Sequence, residues 1–364
     1  MYTHDKRIVL TLDAGGTNFV FTAIQGYKEI VEPVCLPAAS TDLNKCLSTI
    51  LDGFNQVKAL LNVEPVAISF AFPGPADYKN GVIGDLPNFP SFRGGVALGA
   101  FLEDKFGIPV YINNDGNLFA YGEALAGLLP EVNRELKASG NQKVYKNLLG
   151  ITLGTGFGAG VVINNILLTG DNGCGGDVWI MRNKKYPNMI AEESVSIRAV
   201  CRVYAELSGA EVVNFTPKEI YEIAEGTRIG NKEAAIKSFD ELGEMAGAAV
   251  INALNIVDGL VVIGGGIAGA SKYILPGIIR EMNRNVFMFS GESFSSLQMK
   301  VYNIMDNTER VAFLSRSNQM VKVPQSDKMV PYECTKRIGI AISSLGASRA
   351  VALGAYAYAL QQLD

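Results

Sequence analysis

At 364 residues the chain is longer than one hydrophobic core usually serves, so two domains with a cleft between them are expected. An apolar fraction of 48% against 19% charged residues excludes a disordered chain, and a net charge of −4 gives no electrostatic case for a nucleic-acid or membrane-surface partner. Five cysteines without CxxC spacing, no apolar run that could span a bilayer, and an N-terminus without signal-peptide features point to a cytoplasmic protein.

In chain order, residues 6–12 read as a strand, Asp13-Ala14-Gly15-Gly16-Thr17-Asn18 as a glycine turn and residues 19–24 as a returning strand, a β-hairpin pattern. Residues 41–61 carry Leu43, Cys46, Leu47, Ile50, Leu51 and Phe54 at the spacing of one buried helical face. A buried strand is predicted over 66–72, a helix over 96–106, and a strand over 109–112 with Asn113-Asn114-Asp115 at its carboxyl end. A helix over 117–127 leaves from it, and the polar stretch 130–146 predicts a surface connection. Residues 148–163, with Gly154-Thr155-Gly156-Phe157-Gly158 at their centre, then repeat the strand, Gly/Thr turn, strand order of the N-terminus. Two related lobes are the implication. Beyond a loop at 170–188, helices are predicted over 192–207, 217–224 and 232–256, and a strand over 259–263 runs into Gly264-Gly265-Gly266. Residues 303–331, polar and weakly periodic, read as an excursion of unknown role, and a strand over 337–342 leads into an alanine-rich helix over 347–360. Strands and helices alternate throughout, so the fold class is α/β.

Asp13 with Gly15, Gly16, Thr17 and Asn18 suits a turn that approaches phosphate. Glycines let backbone N–H groups come close to an anion, Thr17 adds a hydroxyl, and Asp13 can steer Mg²⁺ through water. Taken alone, an ordinary glycine hairpin with a capping Asp remains open. A second such turn, with Thr155 and Gly156, is what a cleft enzyme needs to clasp phosphates from its other lobe. Gly264 to Gly269 fits G-x-G-x-x-G after a strand, with Glu292 downstream as a candidate ribose-binding acid, the pattern of an NAD-binding oxidoreductase. That reading leaves both Gly/Thr hairpins unexplained; a turn at Gly265 and Gly266 packed against the adenosine of ATP accounts for all three. No G-x-x-x-x-G-K-[ST] occurs, which excludes a P-loop enzyme as far as that motif goes. Asp115, between a strand end and a helix, is either a base that accepts the proton of an attacking hydroxyl or a helix cap.

Set in this order, the residues resemble the ROK family of bacterial sugar kinases and regulators over nearly the whole chain. The matching landmarks are Asp13-Ala14-Gly15-Gly16-Thr17, Pro73-Gly74, Pro87-Asn88, Asn114-Asp115-Gly116-Asn117 with Gly122-Glu123, Gly154-Thr155-Gly156-Phe157-Gly158 and Gly264-Gly265-Gly266. The resemblance implies a two-lobed actin-like ATPase (ribonuclease H-like) fold with an interlobe cleft, its lobes being residues 1–117 plus 346–364 and residues 118–345. It implies ATP and Mg²⁺ as cofactors, a hexose or N-acetylhexosamine as substrate, Asp115 as catalytic base, and Asn88 and Asn114 against the sugar. The partners are then the sugar and ATP, with no nucleic acid and no membrane, and a homodimer is left open.

The chain departs from the family at Gly176-Asp177-Val178-Trp179-Ile180, where many members read Gly-Glu-x-Gly-His. Asp177 stands for a sugar-binding Glu and Ile180 for a zinc-binding His, and residues 183–191 replace a cysteine-rich zinc loop. Glu192 still matches the second sugar-contacting Glu. With His4 the only histidine, the resemblance implies that no family zinc site can be built here. Packing of Trp179, Ile180 and Met181 is the expected substitute for the metal in ordering Asp177 and Glu192, although Trp179 could also be a stacking platform for a sugar face. Strand one begins near Arg7, which leaves no room for the winged helix-turn-helix of family repressors. A catalytically weak sugar sensor of kinase-like build is the alternative to the enzyme; the altered 177–180 segment argues for it, while an intact Asp115 and a complete set of phosphoryl-transfer residues argue for the kinase.

Overall fold

The computed structural model describes residues 1–14, 18–39, 41–74, 76–84, 90–209, 211, 215–315 and 318–364. They form two units, one of Met1–Gly127, Gly160–Gly176 and Ser344–Asp364, the other of Leu128–Ala159 and Asp177–Ser343. Gly15, Gly16, Thr17 and the Pro87-Asn88 pair, all named above, lie outside the described residues.

The first unit is built on a sheet in the order Lys28–Glu29, Asn18–Gln25, Val9–Ala14, Ala67–Ala71, Val110–Asn113, with Val34–Pro37 also paired to Asn18–Gln25. Val9–Ala14, Ala67–Ala71 and Val110–Asn113 run parallel, and their near-continuous apolar character follows from cover on both faces. One face receives helix Leu43–Ala59, whose buried Cys46, Ile50, Phe54 and Val57 recur at helical spacing. Asp42 caps that helix by accepting from the backbone N–H of Lys45, and Phe54 stacks edge-on against Phe21 at 5.1 Å. Truncating Phe54 to Ala would cost about 3–5 kcal/mol of stability. Helix Ala347–Leu363 joins the same unit: Leu353, Tyr356, Ala359 and Leu360 cluster with Val9, Ile24 and Ala67. It also lies against helix Asp115–Leu125 so closely that a Cβ on Gly122 would meet the carbonyl of Ala350 and one on Gly354 that of Leu118. Only glycine admits that approach.

The second unit carries a parallel sheet in which Leu148–Leu153, Leu260–Gly264, Arg337–Ile342 and Lys300–Asn303 follow one another. Its longest helix, Lys232–Val257, packs on Ser271–Met282 through Gly243, Gly247 and Gly277. Added Cβ atoms there would run into the carbonyls of Ile274, Ile278 and Asp240.

Three segments differ from expectation or go beyond it. The stretch 130–146 is not a bare connection: helix Leu128–Ala138 occupies its start, with Leu128, Leu129, Val132 and Leu136 buried along one side and Pro130 accommodated in the first turn. The excursion at 303–331 has structure, a helix Asn307–Leu314 anchored by buried Phe313 and an antiparallel hairpin of Asn318–Lys322 with Met329–Glu333. The helix expected over 96–106 begins only at Leu98, since Val96–Ala97 pairs with Val82–Ile83 as a short strand. Among the described residues no helix is long and apolar enough to cross a membrane.

Candidate active site

In the first unit, register sets the functional corner. Asp13 pairs with Ala71 and Ala71 with Asn113, so the carboxyl ends of three parallel strands are level, the position at which open α/β sheets hold ligands. Asp13 is exposed there, as is Asn18 at the start of the returning strand. Asn113 is buried, and its Oδ1 accepts from the backbone N–H of Asn114 at 2.8 Å and from Nδ2 of Asn117 at 2.9 Å. Asn114 is the N-cap of helix Asp115–Leu125, with Oδ1 accepting from the N–H of Asn117 at 2.6 Å. Capping therefore falls to Asn114, and Asp115 is left for other work.

Asp115 Oδ1 accepts only a short-range bond from the N–H of Gly116, 2.9 Å away. Burial raises its carboxyl above the usual aspartate value; the N–H groups of Gly116 and of Asp115 itself pull the other way, and the negative charge of Asp13 adds to the rise. Protein atoms thus crowd the carboxylate while its side chain keeps accessible surface. The accessible surface decides whether a substrate hydroxyl can reach it, and the crowding decides how strongly it holds a proton once there. A carboxylate so placed can act as a general base.

In the second unit, Thr152 pairs with Gly264, which levels the turn Gly154-Thr155-Gly156 with Gly264-Gly265-Gly266. The N–H of Gly154 donates to the carbonyl of Gly156 at 3.1 Å, closing the hairpin and leaving Thr155 exposed at its tip. Gly265 has φ +91°, and a Cβ there would strike the backbone of Leu153, so its glycine is demanded by the neighbouring strand. At Gly266 nothing stands within 4 Å of an added Cβ, which leaves room for a ligand. Glu292, the candidate ribose acid, sits outside this sheet, beside an exposed hairpin of Asn285–Phe287 and Ser293–Ser295. It is not at the end of an adjacent parallel strand, where a dinucleotide fold needs it.

Glu192 meets this hairpin directly. Its Oε2 accepts from the N–H of Phe157 at 3.0 Å, its Oε1 lies 3.3 Å from Nη2 of Arg198, and a Cβ on Gly156 would stand 2.5 Å from Oε2. Sequence spacing showed neither that contact nor Arg198, because 35 residues separate Phe157 from Glu192 and only the fold joins them. Asp177 is half-buried, ahead of the short 3₁₀ turn Val178–Ile180, and makes no capping bond to it. Trp179 and Ile180 are exposed, at 37% and 57%, Met181 is half-buried, and the buried apolar residues of the segment are Val178 and Ala191. Among the described residues no three His, Cys, Asp or Glu side chains cluster as a metal site.

A family model described as the ROK family matches residues 9–303. A crystal structure of a glucokinase from Parabacteroides distasonis superimposes with a TM-score of 0.88 and 61% identity, covering 99% of this chain and 99% of that one. An N-acetyl-D-glucosamine kinase of Vibrio cholerae is 32% identical over 170 residues, 47% of this chain and 51% of that protein, so the match spans about half of that relative. A ROK family glucokinase from Streptomyces griseus, solved in complex with glucose and AMPPNP, is 18% identical with a TM-score of 0.60 over 96% of this chain and 98% of that one, a likeness of fold.

Proposed function

The chain belongs to the ROK family, and from that premise we propose that it is an ATP-dependent sugar kinase acting on a hexose or N-acetylhexosamine, with Asp115 as general base. The observation that carries the reading is the placement of Asp115: helix capping is done by Asn114, and the carboxylate stands accessible just past the carboxyl end of strand Val110–Asn113. The likeness to the Parabacteroides glucokinase over 99% of both chains supports it.

In this reading the first unit presents the sugar. Asn114 has spent Oδ1 on its cap and offers Nδ2 to a sugar oxygen, and Asn88 is assigned to the sugar by the family resemblance. Asp115 takes the proton from the attacking hydroxyl as its oxygen bonds to the γ-phosphorus and ADP leaves. The residues around Gly15, Gly16, Thr17 and Asn18 direct backbone N–H groups and a hydroxyl at phosphate. In the second unit Thr155 and Gly156 do the same, Gly265 and Gly266 pack against adenosine, and Glu192 and Asp177 face sugar hydroxyls. We assign these roles to lobes of residues 1–117 with 346–364 and residues 118–345.

Mg²⁺ suits the exposed Asp13, since this ion takes one or two carboxylates and fills its remaining positions with phosphate oxygens and water. When bound it would neutralise the charge of the triphosphate. The test is ADP release from Mg-ATP across aldoses, ketoses and N-acetylhexosamines, with a zinc-selective chelator present. Turnover with at least one sugar is expected. Sugar binding with no ADP release from any would make the chain a sensor, and activity restored only by zinc would refute the assignment of metal.

A further inference from the structure

The segment between Asp177 and Glu193 buries Val178 and Ala191 at its two ends, and the residues between them are held mostly by polar contacts. Its ends are joined by a short antiparallel bridge, Arg182 to Ile190, with the N–H of Asn183 donating to Met189 O at 3.0 Å and that of Ala191 to Met181 O at 2.7 Å. Asn183 is 2% exposed and uses its whole carboxamide. Nδ2 donates to Ile190 O and to Ser194 Oγ, and Oδ1 accepts from the N–H groups of Lys185 and Tyr186. The loop is thereby a closed ring, and Tyr186 ties it to the body of the unit by accepting from Arg202 Nη1 at 3.3 Å, with the guanidinium over its ring.

Two lysines add to that tie. Lys184 Nζ lies 2.7 Å from Glu244 Oε1 and 2.7 Å from Glu281 Oε2, and Lys185 Nζ lies 2.8 Å from Glu241 Oε1. Glu241 and Glu244 are three apart on helix Lys232–Val257 and share a face, while Glu281 comes from Ser271–Met282. Glu281 is 4% exposed, held beneath the loop by the close glycine packing of those helices, with a Cβ on Gly247 falling 2.9 Å from its own Cβ. Its second oxygen has no hydrogen bond and only an ion pair, Arg284 Nε at 3.3 Å. A buried carboxylate is costly without cations, and Lys184 supplies the shorter of the two ion pairs to Glu281, from the loop, beside that of Arg284. Burial alone would lower the Lys184 ammonium, yet the hydrogen bonds to Glu244 and Glu281 outweigh it and raise it.

We propose that Lys184 is a positioning residue: by pinning the 183–191 loop to Glu244 and Glu281 it holds Glu192 against the Phe157 N–H and so sets affinity for the sugar. This rests on the kinase reading for the role of Glu192, but not for the pinning itself. Lys184→Ala would leave buried Glu281 with Arg284 alone, so the companion variant Lys184→Met with Glu281→Leu removes both charges together. Both are expected to raise the sugar KM about tenfold with kcat and ATP KM within about twofold, and Lys184→Arg to recover most of the affinity. On a Glu192→Gln background the same changes should add less than about twofold, because their effect is routed through Glu192.

Hydrogen exchange on the protein without ligands reads the pinning separately. The Phe157 amide and the 183–193 segment should exchange faster in Lys184→Met/Glu281→Leu. Unchanged exchange overturns the pinning. Faster exchange with an unchanged sugar KM, or an equal effect on the Glu192→Gln background, overturns the positioning role. If the wild-type chain phosphorylates no sugar, the kinase reading and the affinity claim fall together, and exchange still decides whether Lys184 holds Glu192 in place.

Discussion

The Asp115 corner of the first unit and the Glu192 corner of the second each present a carboxylate at the end of a parallel sheet, and the fold treats them oppositely. Asp115 is given one N–H from the next residue, a crowded setting and a like charge, Asp13. Glu192 is given the N–H of Phe157, the guanidinium of Arg198 and a glycine cut to fit it. The first arrangement leaves a group eager for a proton, and the second a group fixed in space. Chemical role here is written less in residue type than in how many donors surround each acid.

The difference predicts unlike responses to like substitutions. Asp115→Asn should reduce kcat by about two to four orders of magnitude while sugar and ATP affinities hold, the cost of losing a general base. Wild-type turnover in that variant would show the two corners to be equivalent. Glu192→Gln keeps shape and removes charge, and should raise the sugar KM by about ten- to thirtyfold with a smaller change in kcat; steady-state kinetics with the best sugar checks it.

Gly156→Ala probes the same corner from its other side. The added methyl must displace the Glu192 carboxylate, so a smaller rise in sugar KM, about three- to tenfold, is expected, together with faster exchange at Phe157. The gentlest test is thermal. Because folding raises the proton affinity of Asp115, its ionisation destabilises the fold as pH climbs from the ordinary carboxylate value through the raised one, and the loss is complete above that. Asp115→Asn should then melt higher than wild type at pH 7, and the difference should close as pH falls below the ordinary aspartate range. The acid limb of kcat/KM should also lie above the usual aspartate range. A variant that melts lower at pH 7 would show Asp115 to be structural.

The α/β class and the site's strand-end residues were legible because they depend on local pattern. Apolar runs closed by Gly/Thr turns mark the hairpins, and Asn113-Asn114-Asp115 follows directly on a strand. The family resemblance drawn from those motifs agrees with the match over residues 9–303. What was not legible depended on partners distant in sequence. Helix Leu128–Ala138 lies in a polar stretch, and only the fold shows which of its side chains are buried. The carboxylates that meet Lys184 and Lys185, namely Glu241, Glu244 and buried Glu281, come from helices far along the chain.

The glycine contact between helices Asp115–Leu125 and Ala347–Leu363 bears on how the chain is made as well as how it holds. The last strand of the first sheet is finished at Asn113, but the helix that covers Val9, Ile24 and Ala67 begins only at Ala347. On the ribosome that sheet must wait, one face bare, while all of the second unit is synthesised. The nascent first unit is thus the stage most open to association with other chains. Slower growth at lower temperature, or a chaperone that shields that face, should improve the yield of folded protein more than any change within the second unit.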